Sequence, residues 1–152
     1  MNKKRILSLV AATMLSVAVL AGCGSKEEGM KDGKYEVEAA AADKNGYKST
    51  LTLEVKDGKI VAADYDEIST EGASKQSDAE YNKKMKEFGK VTNPEEAFPA
   101  LEKAIVEKQS AEVDAFTGAT SSSNNFKKLA AKAIENATAG NTEKAIVDRK
   151  ST

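Results

Sequence analysis

Between residues 34 and 68, apolar and polar side chains alternate with a period of two. In KYEVEAAAA (34–42), Tyr35, Val37, Ala39 and Ala41 fall on one side. In KSTLTLEV (48–55), Leu51, Leu53 and Val55 oppose Thr50, Thr52 and Glu54. Successive side chains of a strand point to opposite faces, so both segments read as half-buried strands. Asn45-Gly46 marks a turn between them. Asp57-Gly58, within KDGK (56–59), marks a tight hairpin, because both central residues tolerate positive φ. KIVAADYDEI (59–68) is then the returning strand. Three strands in hairpin succession make an antiparallel meander that can pack one face on helices.

After a loop at STEGASKQSD (69–78) the period lengthens. Tyr81, Met85 and Phe88 stand at helical spacing in DAEYNKKMKEFGK (78–90), with Gly89 at the end. Asn93-Pro94-Glu95-Glu96 opens a second helix. Asn can cap, Pro suits the first helical position, and Glu three residues after the cap completes a capping-box pattern. Ala97, Leu101, Ala104, Ile105 and Lys108 share one face. Pro99 removes an interior hydrogen bond, so a kink there, or a start around Phe98, is expected. EVDAF (112–116) reads as a short strand or extended segment. The clearest helical period is the last: Phe126, Leu129, Ala130, Ala133, Ile134 and Ala137 form one stripe of a helix over 121–138, and Gly140 can terminate it. NTEKAIVDRKST (141–152) is a polar tail with no assigned structure. The expected fold is α+β, a small antiparallel β-sheet in a hairpin meander packed against two to three helices.

The N-terminus has a different character. Lys3, Lys4 and Arg5 precede an uncharged apolar run from Ile6 to Leu20, the arrangement of a secretory signal peptide and too short for a settled membrane span. Leu20-Ala21-Gly22-Cys23 resembles a bacterial lipobox, in which the Cys is lipidated and becomes the first mature residue. Cys23 is the only Cys of the chain, so it has no disulfide partner. GSKEEGMKDG (24–33) is polar, charged and punctuated by Gly, the composition of a flexible tether. The expected organisation is a lipoprotein signal peptide (1–22), the lipidated Cys and tether (23–33), one folded domain (34–140) and the tail (141–152). The whole chain has 23 basic and 24 acidic residues. Removing residues 1–22 takes away three basic ones and leaves a net charge of −4, which argues against a nucleic-acid partner.

Composition removes most catalytic chemistry. Without His there is no imidazole base, no usual haem ligand and no Ser/His/Asp arrangement, and no zinc site is expected. DKNG (43–46) and DYDE (64–67) carry oxygen ligands but not the spacing of a calcium loop. What remains is a cluster of hydroxyls in DAFTGATSS (114–122) at the entrance to the last helix. First-turn backbone N–H groups have no intrahelical partner and the helix dipole is positive there, so the cluster suits either an ordinary N-cap or an anion site. Gly118 permits a tight turn or a close backbone approach.

Asp114-Ala115-Phe116-Thr117-Gly118-Ala119-Thr120 resembles the Asp-x-x-(Ser/Thr)-Gly-Ala-Thr motif of FMN-binding domains, among them covalently flavinylated subunits of redox complexes and exported flavoprotein lipoproteins. DGKYEVEA, LEVKDGKIVAADYDE and AIVEKQSAEVDAFTGAT resemble the order of segments in those domains, and the likeness covers about residues 32–138. The resemblance implies FMN joined to Thr120 through a phosphoester and installed from FAD by a flavin transferase. Asp114 would belong to the pattern the transferase recognises. Thr117, Gly118, Ala119 and Ser121 would complete the cofactor-binding segment, with no catalytic or metal-binding residue. Many members carry a Glu-Thr-Pro-Gly-like loop after the hairpin, where this chain has ISTEGASKQ (68–76) without Pro. Tyr65, Phe116 and Phe126 are candidates both for stacking on the flavin and for core packing.

The expectation is therefore an electron carrier rather than an enzyme. It would be lipid-anchored at the extracytoplasmic face of a bacterial cell membrane and would pass electrons from a membrane quinone-linked dehydrogenase, or another redox protein, toward an extracellular acceptor or reductase. The rivals are a lipoprotein that holds FMN or another phosphorylated ligand non-covalently for sensing or delivery, and a purely structural surface lipoprotein. Lipidation itself has a direct check: Cys23→Ser should move the protein from the membrane pellet to the soluble fraction on cell fractionation, and a protein still in the pellet would argue against the anchor.

Overall fold

A computed structural model of the chain describes residues 29–89 and 91–148. The expected signal peptide and Cys23 lie outside the described residues. The alternating segments form β1 (Gly33–Ala39), β2 (Tyr47–Lys56) and β3 (Lys59–Ser69). Asp57 and Gly58 join β2 to β3 with φ of 53° and 74°, and Lys56 faces Lys59 across them. Two consecutive positive φ values match the right-handed twist of paired strands, which is why Asp-Gly closes this hairpin. In the earlier turn Gly46 has φ 83°. There the Asp43 carboxylate accepts from the N–H groups of Asn45 and Tyr47, at 2.8 and 2.9 Å.

β1 runs antiparallel to β2, with Tyr35 opposite Leu53 and Val37 opposite Leu51. A fourth strand, β4 (Ala145–Val147), pairs parallel with β1 alongside Val37–Ala39. The sheet order is β3-β2-β1-β4, so the sheet is mixed rather than wholly antiparallel. Three residues are too few for alternation to show in the sequence. The strand is seated by its pairing with β1 and by Ala145 and Val147, which pack against the core; just before it, Lys144 reaches Glu38 at 2.6 Å, beside Lys48 at 3.0 Å. The hydrogen bonds from Lys144 and Lys48 hold the Glu38 carboxyl below its ordinary range.

β3 contains one extra residue. Val55 faces Ile60 but Glu54 faces Ala62, which leaves Val61 unopposed and half exposed. A bulge of this kind shifts the side-chain parity. Ile60 points into the core before it, and Tyr65 and Glu67 point inward after it.

Three helices complete the described residues: α1 (Ala79–Gly89), α2 (Pro94–Lys108) and α3 (Thr120–Ala139). α2 packs on β3, and α3 packs on β1 and β2. Phe98, Leu101 and Ile105 of α2 and Phe126, Leu129 and Ala133 of α3 meet Tyr35, Leu51, Leu53 and Tyr65 of the sheet. Each Leu, Ile and Phe among them contributes about 1.5–3 kcal/mol by leaving water. The Tyr65 ring sits edge-on to Phe98 and Phe126, with centroids 4.9 and 5.3 Å away.

The start of α2 follows its sequence signals only in part. Asn93 caps it by accepting from the Glu96 N–H at 3.0 Å, and Pro94 occupies the first turn. The helix does not wait for Phe98; it runs through Pro99. Glu96 does not reach back to close a capping box but turns to Lys86 and Thr92. α1 differs from the other helices. Tyr81 and Met85 are half-buried, Phe88 is 85 % exposed, and the residue it buries is Asn82. The Asn82 amide donates to the carbonyls of Lys75, Gln76 and Asp78, while its oxygen accepts from the Glu95 N–H. A polar staple, rather than an apolar stripe, therefore seats α1.

Residues 112–116 form no strand, and Val113 is their buried anchor. At the other end, the Lys31 N–H donates to the Ala137 carbonyl at 2.8 Å and Met30 packs against the core. The chain thus enters the domain at the C-terminal end of α3.

The outer edge of β3 is closed by side chains from α2 and the residue after it. Glu102 accepts from the Tyr65 N–H at 2.8 Å, and burial pushes its carboxyl above the ordinary range. Gln109, at φ 55°, accepts from the Ile60 N–H and donates to the Ile60 carbonyl, both at 2.7 Å. A sheet edge left open exposes unpaired backbone groups. Gln109→Ala should lower stability by about 1–3 kcal/mol in chemical denaturation, since it strips two partners from one strand residue; an unchanged midpoint would show that water replaces the amide without cost.

Candidate functional site

α3 begins at Thr120, after a turn in which Gly118 has φ 85°. A Cβ on Gly118 would stand 2.8 Å from Val91 Cγ1 and 3.1 Å from Thr92 Cγ2, so the segment before α2 lies directly against this turn. The N-cap residue is Ala119, and no side chain caps the helix. The hydroxyl cluster is thus not an ordinary N-cap. Its structural member is Ser123, which is fully buried. The Ser123 hydroxyl accepts from the Phe116 N–H at 2.9 Å and donates to the Ala119 carbonyl at 2.7 Å, tying the turn to the helix it precedes.

The uncapped end of α3 opens on a cleft of about 700 Å³. Its other walls are the Asp43–Asn45 turn, the start of α2, Tyr81 and Met85 of α1, and Glu67 with Lys75. Two helix N-termini therefore face one cavity. That of α2 is already satisfied by Asn93, whereas the first-turn amides of α3 have no side-chain cap. Such amides, reinforced by the helix dipole, favour an anion.

Gly118, Ala119, Thr120 and Ser121 line this cleft together, and Thr120 and Ser121 are exposed. Asp114 and Thr117 do not line it. The Asp114 side chain is 97 % exposed and lies 3.4 Å from the Lys108 ammonium. Of the three aromatic candidates, Tyr65 and Phe126 are buried in the core and Phe116 is half-buried against it. The aromatic ring on the α1 side of the cleft is Tyr81, tilted against Tyr47 with centroids 5.8 Å apart. Glu71, in the loop that departs from the usual pattern, is exposed outside the cleft, whereas Lys75 from the same stretch lines it.

Glu67 and Lys75 are functional candidates that the pattern of residue types did not single out. Glu67 is 2 % exposed and Lys75 is 6 % exposed. The Lys75 ammonium donates to Glu67 Oε2 and lies 4.7 and 5.2 Å from the ring centroids of Tyr47 and Tyr81. The Tyr65 hydroxyl donates to Glu67 Oε1 at 2.9 Å and lies 3.3 Å from the Ser122 carbonyl. Burial opposes the charge on Lys75, but the hydrogen bond and field of Glu67 outweigh it and hold the ammonium above its usual range. Burial, then the Glu67 charge, pushes the Tyr65 hydroxyl well above its own. The inward parity of Glu67, two residues after Tyr65, was the available signal; the bulge concealed it. Among the described residues no group of acidic or sulfur side chains could hold a metal ion.

The profile of the FMN-binding domain family matches residues 46–135. The chain belongs to that family. It is 37 % identical over 136 residues to the 15 kDa lipoprotein of Treponema pallidum (strain Nichols), covering 89 % of this chain and 94 % of the relative. It is also similar to a protein from Clostridium perfringens of known crystal structure. That likeness has a TM-score of 0.77 and 50 % identity, and covers 80 % of this chain and 99 % of the other.

The residues present fit FMN. The uncapped α3 amides suit its phosphate, and the cleft lies within the roughly 300–1,000 Å³ range of pockets that hold ligands of this size. Tyr81 and Met85 supply apolar wall, and Lys75 supplies a buried cation. In this FMN-binding domain Gly118 permits both the left-handed turn and the approach of Val91. Gly118→Ala should therefore lower stability by about 1–3 kcal/mol in thermal denaturation and reduce flavin content with it; a variant as stable and as yellow as the parent would overturn this role.

Proposed function

We propose that the protein is a lipid-anchored, extracytoplasmic flavoprotein that carries FMN as a phosphoester on Thr120. It passes electrons from the membrane quinone pool toward an extracellular acceptor or reductase. The observation that carries the reading is the exposed Thr120 at the uncapped start of α3, lining the cleft within Asp-x-x-Thr-Gly-Ala-Thr. Capping would have consumed these hydroxyls; here Ser123 holds the turn and leaves Thr120 and Ser121 facing the cavity.

A Thr hydroxyl is a weak nucleophile unless a base activates it, and this chain has no His. Attachment is therefore the work of a flavin transferase. The Thr120 oxygen–phosphorus bond forms as the diphosphate bond of FAD breaks, AMP leaves, and the transferase removes the hydroxyl proton. Exposure of Thr120 and Asp114 suits recognition by another protein. Once bound, the flavin supplies reversible uptake of one or two electrons. The chain's own contribution is to hold the phosphate on the first-turn amides and to fix the walls of the cleft. The name of the Treponema relative, a lipoprotein, supports a lipidated Cys23 and a membrane anchor.

Co-expression with a flavin transferase, followed by denaturing electrophoresis, separates this reading from a non-covalent one. The parent chain and Ser121→Ala should retain flavin fluorescence in the denatured band, with a mass increase of one FMN less one water. Thr120→Ala should lose both. Flavin that leaves every denatured chain would favour non-covalent binding of FMN or another phosphorylated ligand, and a colourless protein would exclude either.

A further inference from the structure

We infer that Lys75 sets the reduction potential of the cleft, with Glu67 as the counter-charge that fixes it in place. The inference rests on the reading that the cleft holds a flavin. Lys75 is held by groups from three elements: Glu67 of β3, Tyr47 of β2 and Tyr81 of α1. Glu67 is itself fixed by the Tyr65 hydroxyl, and the Tyr65 ring is locked between Phe98 and Phe126. The ammonium is thus a positioned charge in the cavity wall rather than a mobile surface cation.

The fold by itself has little use for this pair. Taking both charges out of water costs several kcal/mol per ion, and apolar residues of similar volume often serve stability as well or better. Other charged residues lining the cleft are Asp43 and Lys44. Lys44 is exposed, so solvent and salt screen it, while Lys75 acts through a medium of low dielectric. Reduction of a bound ring by two electrons and one proton adds one net negative charge to the cleft. A cation already in position stabilises that charge without reorganisation, which favours the reduced form.

The two partners should therefore shift the potential in opposite directions. In the full chain loaded with FMN by a flavin transferase, the midpoint potential is measured by spectroelectrochemical titration with dithionite and a reference dye. Lys75→Met should shift it negative, Lys75→Arg should restore most of the shift, and Glu67→Gln should shift it positive because the cation loses its counter-charge. A merely structural pair would move both single variants the same way, and that result, or no shift in either, overturns the inference. Should Lys75→Met fail to fold, the sign for Glu67→Gln decides alone. Parent and variants that load with flavin but share one potential overturn this inference only, whereas a parent chain that binds no flavin overturns the reading beneath it as well.

Discussion

The cleft depends on one extra residue in β3. Without the bulge at Val61, the parity that buries Ile60 would carry Ala62, Asp64 and Asp66 inward and turn Tyr65 and Glu67 to solvent. With it, a single strand delivers an apolar residue to the core at one end and a carboxylate to the cavity wall at the other. Tyr65 joins the two regions: its ring belongs to the core and its hydroxyl to the polar chain that reaches Lys75. The rigidity of the site is thereby drawn from the packed core.

The second organising contact is smaller. Ser123 spends both its donor and its acceptor on the turn before α3, which lets Ala119 serve as the cap residue and leaves the first-turn amides uncapped. Gly118 brings the same turn against Val91 and Thr92, so the starts of α2 and α3 share one cavity. Asn93 caps one of these helix ends from within, and the other has no side-chain cap. Of the two ends, that of α3 is the one whose geometry suits an anion.

Much of this was legible in the chain. The period-two segments, the Asp57-Gly58 hairpin, Asn93-Pro94 and the apolar stripe of α3 each express a local rule strong enough to survive tertiary context. The motif around Thr120 pointed to residues that line one wall of the cleft. Features set by non-local contacts were not legible. β4 is three residues long and is seated by pairing with β1, more than a hundred positions away. α1 shows a helical stripe, yet Asn82 rather than Phe88 anchors it. Glu67 and Lys75 look like two surface charges until the bulge and the loop bring them together inside, and Ser123 is one hydroxyl among several until its two partners are seen.

α3 also separates two ends of the domain. The N-terminal segment joins the domain at Ala137, and Thr120 stands at the opposite end of the same helix, roughly 25 Å away at 1.5 Å per residue. The helix is in effect a boom: whatever holds residue 31 and whatever approaches Thr120 meet the protein at different poles. Length or composition upstream of residue 30 can therefore change while the geometry of the cavity stays as it is.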